Sequence, residues 1–550
     1  MFDPLPLPQE MARWDAMSIA EYGVKNEMLM ENASREALAV LLAEWGEVAV
    51  EGQRVLLFAG PGNNGGDAIC LARHLHDLGA RALVLHMGPK SRYSGVSRYH
   101  LRLAQRVGVE MKLFSPGFSC FEFQPDCVVD GLLGTGFSGE LRPQYIEAVQ
   151  TINALAKNTR VLALDCPTGL CGRTGRPLPV AVQAYATVTF AAPKLGMVLP
   201  PAQPYLGKLH VRPIGIPKAV FKQAPSRHAL LNKLGLRRTL AADEASRSAM
   251  GAILTPFSPQ LHKGTTGKVL VVGGSPGLTG APLLAALGAL RGGAGLVTVA
   301  CPGGLAQEVK AATPEVMTLA MGSGQDWNTG VAPVLAKRIH EWDAVALGPG
   351  LGRAEGSGEF LAAFLAALPA DRPGLLLDAD ALYWLAKNPG LKEYLRPEDI
   401  LTPHPGEAAL LLDPQQPDTA SVQNERSEAA QHLADQFGCV AVLKGAGTLI
   451  AALETDDRPN QLLLCPIDAP TLAVGGAGDV LAGLVAGLAA RKLPARHAAA
   501  LGVFLHARAG QILENTYLQR GNMARDISRA LPRALKEFTH DSTRPRHHDP

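Results

Sequence analysis

The chain has 550 residues, more than one hydrophobic core ordinarily serves, so two domains are expected. A net charge of +2, from 52 basic and 50 acidic residues, removes any electrostatic argument for nucleic acid or an anionic membrane as partner. Aromatic content of only 5% beside 47% hydrophobic residues and 58 glycines suits parallel sheets covered by helices and joined by short loops.

The eight cysteines include no Cys-x-x-Cys pair, and Cys166 and Cys171 lack histidines at zinc-ligand spacing. Free thiols buried in a reducing cytosol are the expectation. The N-terminus lacks the basic and apolar regions of a signal peptide, which points to the cytoplasm. One uncharged run, Val269 to Leu290, is long enough to cross a bilayer. Gly273, Gly274, Pro276, Gly277, Gly280 and Pro282 interrupt it, so it reads as strand, loop and helix.

From about Met11 to Trp45, apolar residues recur at helical spacing, among them Leu29, Met30, Ala33, Leu38 and Leu42. Arg54–Ala59 reads as a buried strand and runs into a loop from Gly60 to Asp67. Gly60, Gly62 and Gly65 there satisfy G-x-G-x-x-G, the pattern of a dinucleotide-binding turn. Two features argue against a plain dehydrogenase. The next strand, Ala82–Met87, ends without the acidic residue that would hold a ribose, and Asn63, Asn64 and Asp67 crowd the loop with oxygens that a pyrophosphate cradle does not use.

The strands Cys127–Asp130 and Val161–Asp165 each end in Asp at the carboxyl edge, where open α/β sheets bind ligands. Asn64, Asp130 and Thr168 offer hard oxygen donors suited to an alkali or alkaline-earth cation and not to zinc. The plainer alternative is that these aspartates cap turns.

The segments Leu29–Ala33, Pro61–Asp67, Val129–Gly136 and Asp165–Gly169 resemble the NAD(P)H-hydrate epimerase domain, over roughly Met11 to Ile216. The resemblance implies that Asn63, Asn64, Gly65, Gly66 and Asp67, with Gly134, Thr135, Gly136, Phe137, Ser138, Gly139 and Glu140, hold a damaged dinucleotide. It matches Asn64, Asp130 and Thr168 to potassium ligands and Asp165 to a substrate-contacting carboxylate. Asp165 would be the acid/base, with Asp67 the alternative. Ala68 stands where that family usually has glycine and is expected to narrow the loop's approach to the ligand. Thr168 replaces the commoner serine but keeps the hydroxyl.

Pro217 to Ser246 is irregular and basic, and reads as a solvated linker with the domain boundary near residue 230. Beyond it, apolar strands at Gly267–Gly273, Leu296–Ala300, Asp343–Leu347, Gly374–Asp378, Ile400–Thr402 and Val440–Lys444 alternate with Gly-, Asp- or His-bearing loops and helices. That repetition predicts a parallel doubly wound sheet with its loops on one edge. Among those loops, Gly475–Gly483 is a glycine-rich turn entering an apolar helix with Asp479 at the junction. Converging N–H groups and the helix dipole suit a phosphate there, and a carboxylate beside it suits a base; a simple helix cap is the bland alternative.

This constellation resembles the ribokinase-like superfamily and, more narrowly, the ADP-dependent NAD(P)H-hydrate dehydratase. The match runs over about residues 240–535, through His262–Gly264, Gly273–Ser275, Gly348–Gly352, Leu377–Leu382, Thr402–Glu407 and Gly475–Gly483. The resemblance implies that Ala281, Gly350, His404 and Asp479 contact the hydrate, while Lys444, Gly445, Ala446, Gly447, Thr448 and Gly478 contact ADP. Asp479 would be the catalytic base, with N–H groups of Gly476 to Gly478 stabilising the transferred charge and Mg²⁺ on the phosphates.

The expectation is therefore an α/β protein of two three-layer α/β/α domains. A Rossmann-like epimerase occupies 1–225 and binds K⁺, and a ribokinase-like dehydratase occupies 240–540. Its partners are the hydrates of NADH and NADPH and ADP; no nucleic acid or membrane is expected, and a homo-oligomer is. The rivals are a kinase of a small hydroxylated metabolite, and a first domain that binds dinucleotide without catalysis.

Overall fold

The computed structural model describes residues 2–46, 49–115, 123–137, 139–254, 266–453, 461–518 and 520–539. His262–Gly264 and Ser138 lie outside these residues, as does the basic tail from residue 540. The chain divides into one compact unit of Pro4–His228 and another of Ala229 onward with the first three residues.

In the N-terminal unit seven strands lie in the order Glu110–Leu113, Arg81–His86, Arg54–Ala59, Cys127–Gly131, Arg160–Leu164, Ala186–Phe190 and Lys208–Arg212. Every neighbouring pair is parallel. The strand Arg54–Ala59 shows why helices cover both faces. Val55, Leu57 and Ala59 enter one apolar cluster, while Leu56 and Phe58 enter another. A strand buried on both sides has no polar face to leave in water. Strand order reverses between Arg54–Ala59 and Cys127–Gly131, which puts the ligand crevice at the loops that follow them.

The C-terminal unit carries an eleven-stranded sheet. The strands Met317–Met321, Leu296–Pro302, Lys268–Val272, Ala344–Leu347, Gly374–Leu377, Ile400–Leu401 and Val440–Leu443 are neighbours in that order and parallel. Order reverses between Lys268–Val272 and Ala344–Leu347. The sheet is not parallel throughout, as the alternation of strands and helices had predicted. Leu449–Ala451 and Leu462–Leu464 continue it antiparallel, because short connections can only turn the chain back on itself.

The helix Gly280–Arg291 packs against Ala477–Ala490 with almost no side chain between them. A Cβ at Gly483 would fall 1.7 Å from the Ala285 carbonyl oxygen, and one at Gly487 would fall 3.1 Å from that of Ala289. Residues four apart on one helix thus meet residues four apart on the other in the same direction, so both N-termini sit at the same end.

The basic joint is not a solvated linker. Lys218–Gln223, Lys233–Ala242 and Glu244–Leu254 are helices, and Leu231, Leu236 and Leu240 are buried in the core of the C-terminal unit. The lysines and arginines decorate the outer faces of amphipathic helices whose leucines, four apart, do the packing.

Two candidate active sites

At the N-terminal crevice Asp165 follows the strand Arg160–Leu164 with φ at +59°, a strained conformation for a residue with a Cβ. That turn directs its carboxylate to Lys194, a side chain with 1% exposure. Lys194 Nζ donates to Asp165 Oδ1, and at 2.8 Å to Thr189 Oγ1. Thr135 donates to Asp165 Oδ2 from its N–H at 3.1 Å and its hydroxyl at 3.0 Å. Burial would raise the Asp165 pKa, but the Lys194 cation and these hydrogen bonds outweigh it and hold the group below the usual carboxylate range. Asp165 is an anion at neutral pH.

Its neighbours behave in the opposite way. Burial, followed by the charges of Asp165 and Asp15, pushes the pKa of Asp67 well above its ordinary value. Asp15, on the helix Pro8–Ala20, is raised to about 6 by burial and by Asp165. Its Oδ1 is buried without a hydrogen-bond partner among the described residues. The two carboxyls are thus driven in opposite directions: burial and like charges raise the proton affinity of Asp67, while Lys194 and the Thr135 hydrogen bonds lower that of Asp165. Sequence reasoning missed Lys194 and Asp15. Lys194 could have been found as the one cation in the stretch Ala191–Leu195; Asp15 carries no comparable signal.

Asp130, fully buried, accepts from the N–H and the hydroxyl of Thr168, each at 2.7 Å. Asn64 stands beside this pair's end of the crevice, and neither Nδ2 nor Oδ1 has a partner among the described residues. A Cβ at Gly134 would lie 3.0 Å from Asp165 Oδ2 and 3.3 Å from Asn64 Cβ, so Gly134 threads between the two. Residues 63–67, expected as a loop, form the first turn of the helix Asn63–Asp77, with Asn63 exposed and Asn64 to Asp67 buried. Thr135 is partly buried, and Gly136, Gly139 and Glu140 are exposed. Phe137 packs against an apolar cluster that includes Leu132 and Leu141. Ala68 does not narrow the approach to a ligand. It is wholly buried and faces the strand Cys127–Gly131, where a Cβ on Gly131 would come within 2.4 Å of its own.

In the C-terminal unit Asp479 is the third residue of the helix Ala477–Ala490, behind Gly476 with φ at +87°. Only glycine fits at that turn, because a Cβ would also lie 2.4 Å from Leu284 Cδ1. The N-cap is Gly476, which has no side chain, and among the described residues no backbone N–H donates to the Asp479 carboxylate, so Asp479 does not act as a helix cap. Burial, then the charge of Asp378, raises the Asp479 pKa to about 7 against the opposing pull of Lys444. A carboxyl with that pKa can take a proton at neutral pH.

Around it the loops converge as the strand order requires. Lys444 Nζ donates to Asp378 Oδ1 at 2.6 Å and lies 3.8 Å from Glu407 Oε2. A Cβ at Gly478 would sit 3.4 Å from the same Nζ and 4.0 Å from Asp378 Oδ2. Asp378 also accepts from Thr402 Oγ1 at 2.8 Å. Ala379, between Asp378 and Asp380, has φ at +51°, strain of the kind seen at Asp165. Asp380 accepts from the Gly352 N–H and from Arg353 Nε, each at 3.0 Å. A Cβ at Gly350 would lie 3.2 Å from that of Ala281, so those two predicted contacts are adjacent.

His404 caps the helix Pro405–Leu412: its Nδ1 accepts from the N–H groups of Gly406 and Glu407, and Nε2 faces Glu407 Oε1 at 3.3 Å. Burial raises Glu407 to about 7. Asp378, Asp380 and Glu407 were within recognised segments but not singled out as site residues. Only their convergence on Lys444 and the 348–352 turn marks them.

A cleft of about 320 Å³ opens beside this cluster. Lys444, Gly445, Ala446, Thr448 and Gly478 line it, together with the apolar Ile467, Leu472, Leu481 and Val503. Polar backbone at one end and aliphatic walls at the other suit a nucleotide. At its floor burial lowers the His506 pKa to about 4, so the ring is neutral, with Nε2 3.0 Å from the Ala477 carbonyl. Elsewhere, Glu31, Cys70 and His74 have the spacing of metal ligands. Arg73 Nη2 already occupies that group, 2.7 Å from Glu31 Oε2 and 3.0 Å from His74 Nε2.

A family described as YjeF-related protein N-terminus matches residues 26–196, and one described as NAD(P)H-hydrate dehydratase matches residues 269–533. The bifunctional NAD(P)H-hydrate repair enzyme of Moorella thermoacetica is 36% identical over 539 residues, which is 96% of each chain. This chain belongs to the bifunctional NAD(P)H-hydrate repair enzymes. Another member, from Thermanaerovibrio acidaminovorans, is 36% identical over 517 residues, 92% of this chain and 93% of that one. The ADP/ATP-dependent NAD(P)H-hydrate dehydratase of Bacillus subtilis, solved with ATP and Mg²⁺, is 28% identical over 56% of this chain and 98% of its own, with a TM-score of 0.43. The repair enzymes combine an N-terminal epimerase with a C-terminal dehydratase. Among the described residues no helix is long and apolar enough to cross a membrane.

Proposed function

We propose that residues 1–225 interconvert the R and S epimers of hydrated NADH and NADPH. Residues 240–540 then dehydrate the S epimer with ADP, releasing AMP and phosphate. The observation that carries the second step is Asp479, an uncapped carboxyl with a pKa of about 7 at a helix N-terminus beside the cleft. Asp479 takes the proton of the ring hydroxyl, and the hydroxyl oxygen attacks the terminal phosphoryl group of ADP. N–H groups of Gly476 to Gly478 face the developing charge, an arrangement worth ~10²–10³ in rate per donor. The P–O bond to AMP breaks, the ring nitrogen's lone pair expels phosphate from the phosphorylated carbon to leave an iminium cation, and the adjacent ring carbon gives up a proton to the departing phosphate, which restores the dihydropyridine. Lys444 and the 445–448 turn hold the nucleotide, and Ala281, Gly350 and His404 border the hydrate. Asp378 Oδ2 has no hydrogen-bond partner among the described residues, so it and Glu407 suit a Mg²⁺ ion. That ion would neutralise phosphate charge.

In the N-terminal unit Asp67, whose proton affinity is raised by burial, passes a proton to the ring hydroxyl as it leaves as water and takes a proton back as water re-adds to the opposite face of the ring. Asp165, kept anionic by Lys194, stabilises the cationic ring formed as the hydroxyl leaves. The unpartnered Oδ1 of Asn64, with Asp130 and Thr168, forms a hard-oxygen set that fits potassium. Potassium would lower the local negative potential of three neighbouring carboxylates.

The test uses an epimeric mixture of NADH hydrate with ADP and Mg²⁺. The wild-type enzyme should recover all of it as NADH, whereas Asp165→Asn should stop rapidly at the S fraction. Equal recovery by both would overturn the epimerase assignment.

A further inference from the structure

The cleft's polar end is the turn from Leu443 to Thr448, and the side chain of Arg426 lies against it. Arg426, the first residue of the helix Arg426–Phe437, sends Nη2 into the concave side of this turn. That one nitrogen lies 3.2 Å from the carbonyl oxygen of Leu443, 3.1 Å from that of Lys444 and 3.3 Å from that of Gly447. Nη1 donates to Gln423 Oε1 at 3.2 Å. Among the described residues no carboxylate pairs with Arg426, and its Nε is buried without a partner. Burial lowers its pKa to about 10, which leaves it charged at neutral pH. A cation set against neutral carbonyls, three of the backbone and one of a glutamine, is an expensive arrangement, because nothing of full opposite charge offsets its desolvation.

Its geometric consequence is specific. With carbonyls at both ends of the turn drawn toward the guanidinium, the N–H groups of Gly445, Ala446 and Gly447 are left without an acceptor among the described residues. Gly445 has φ at +123°, and a Cβ there would lie 3.3 Å from Arg426 Nη1. The turn therefore spends its oxygens on Arg426 and leaves the N–H groups of Gly445 and Ala446, two residues that line the cleft, free to meet an anion. Lys444 leaves the same turn with its backbone carbonyl on Arg426 and its ammonium on Asp378, 3.4 Å from the Cβ position of Gly478.

We infer that Arg426 is a positioning residue of the dehydratase, holding the 443–448 turn so that its N–H groups receive the phosphates of the nucleoside diphosphate. It touches neither substrate; it acts through the turn and through the placement of Lys444. The inference rests on the assignment of this cleft to ADP.

The test is steady-state kinetics of full-length Arg426→Gln and Arg426→Lys on S-NADH hydrate, with ADP and hydrate varied separately. Arg426→Gln should raise the KM for ADP by ~10-fold or more, since it removes the charged hydrogen bonds that hold the turn. The KM for the hydrate should stay within about twofold. Arg426→Lys, which keeps the charge but cannot bridge the turn, should fall between. Binding of AMP, read by calorimetry, should weaken in the same order. The epimerase rate of the same samples reports folding of the chain, and a thermal melt reports folding of the C-terminal unit.

A hydrate KM that rises in step with the ADP KM would overturn the inference, as would an unchanged ADP KM in a folded Arg426→Gln. If Arg426→Gln does not fold, an ADP KM of wild-type value in Arg426→Lys would overturn it. Failure of the wild-type enzyme to use ADP at all would instead overturn the assignment of the cleft, and the two failures are told apart by that control.

Discussion

Lys194→Met removes the cation that keeps Asp165 ionised. The lysine is 1% exposed and Asp165 lies beside it under the Thr135 turn, so water cannot readily replace the lost partner. Breaking a buried pair from one side costs ~3–5 kcal/mol. If all of that cost surfaced as protonation of Asp165, at ~1.36 kcal/mol per pKa unit, the carboxyl would climb by ~2–4 units. It starts below the ordinary carboxylate value of 3.8, so the climb carries it toward neutrality. The sign of the stability effect follows. A depressed pKa contributes stability that is full above the unfolded-state value near 3.8 and is lost as pH falls through the folded value.

In Lys194→Met that contribution disappears across the neutral range. At ~2–4 °C per kcal/mol for a unit of this size, the melting temperature of the N-terminal unit should fall by ~6–20 °C. Conversion of R-NADH hydrate, coupled to an excess of separate dehydratase, should drop by at least ~10²-fold at pH near 7. Adding Asp165→Asn should return part of the lost stability but none of the activity, since the uncompensated charge is then gone. Lys194→Met with epimerase activity within about twofold of wild type and an unchanged melting temperature would refute this account of the pair.

The pH profile of kcat/KM for the dehydratase should rise with unit slope and level off near pH 7, as Asp479 loses its proton; a flat profile down to pH near 5 would contradict a base raised to about 7. Asn64→Ala should abolish any potassium dependence of the epimerase while leaving the dehydratase rate unchanged, read by replacing potassium with a bulky organic cation in the buffer. Gly483→Ala should destabilise the C-terminal unit by ~1–3 kcal/mol or more, because the new methyl would meet the Ala285 carbonyl that now lies 1.7 Å from its position; denaturant unfolding measures it.

Much of this architecture was legible in the sequence because parallel strands are continuous aliphatic runs, and Arg54–Ala59 or Lys268–Val272 can hardly be anything else. The strands that escaped notice break that pattern for physical reasons. Ala186–Phe190 alternates with buried threonines that find partners beyond the sheet, Thr187 on the Leu206 carbonyl and Thr189 on Lys194. Glu110–Leu113 is a partly exposed edge with two charged residues. The joint was misjudged because its charges dominate the composition, whereas the buried Leu236 and Leu240 decide the structure.

At the sites, glycine turns and Asp479 carried their own signal. Asp15, Asp378 and Arg426 did not, since each matters only through a neighbour distant in sequence, and Lys194 offered only its isolation as the one cation among Ala191–Leu195. Asp165 and Asp67 show the limit most plainly. The two are the same residue type, and the direct contact of Lys194 with Asp165 alone sends their proton affinities in opposite directions.

The central claim is that Asp479 drives an ADP-dependent dehydration in which phosphate is transferred and then lost. The most direct measurement mixes pure S-NADH hydrate with ADP, Mg²⁺ and either wild-type enzyme or Asp479→Asn, and follows dihydronicotinamide absorbance with parallel assays of AMP and phosphate. The account predicts NADH, AMP and phosphate in equal amounts from the wild type, and a rate lower by ~10²–10⁴-fold from Asp479→Asn. Consumption of ADP with a phosphorylated product that persists, or an Asp479→Asn variant as fast as wild type, would contradict it.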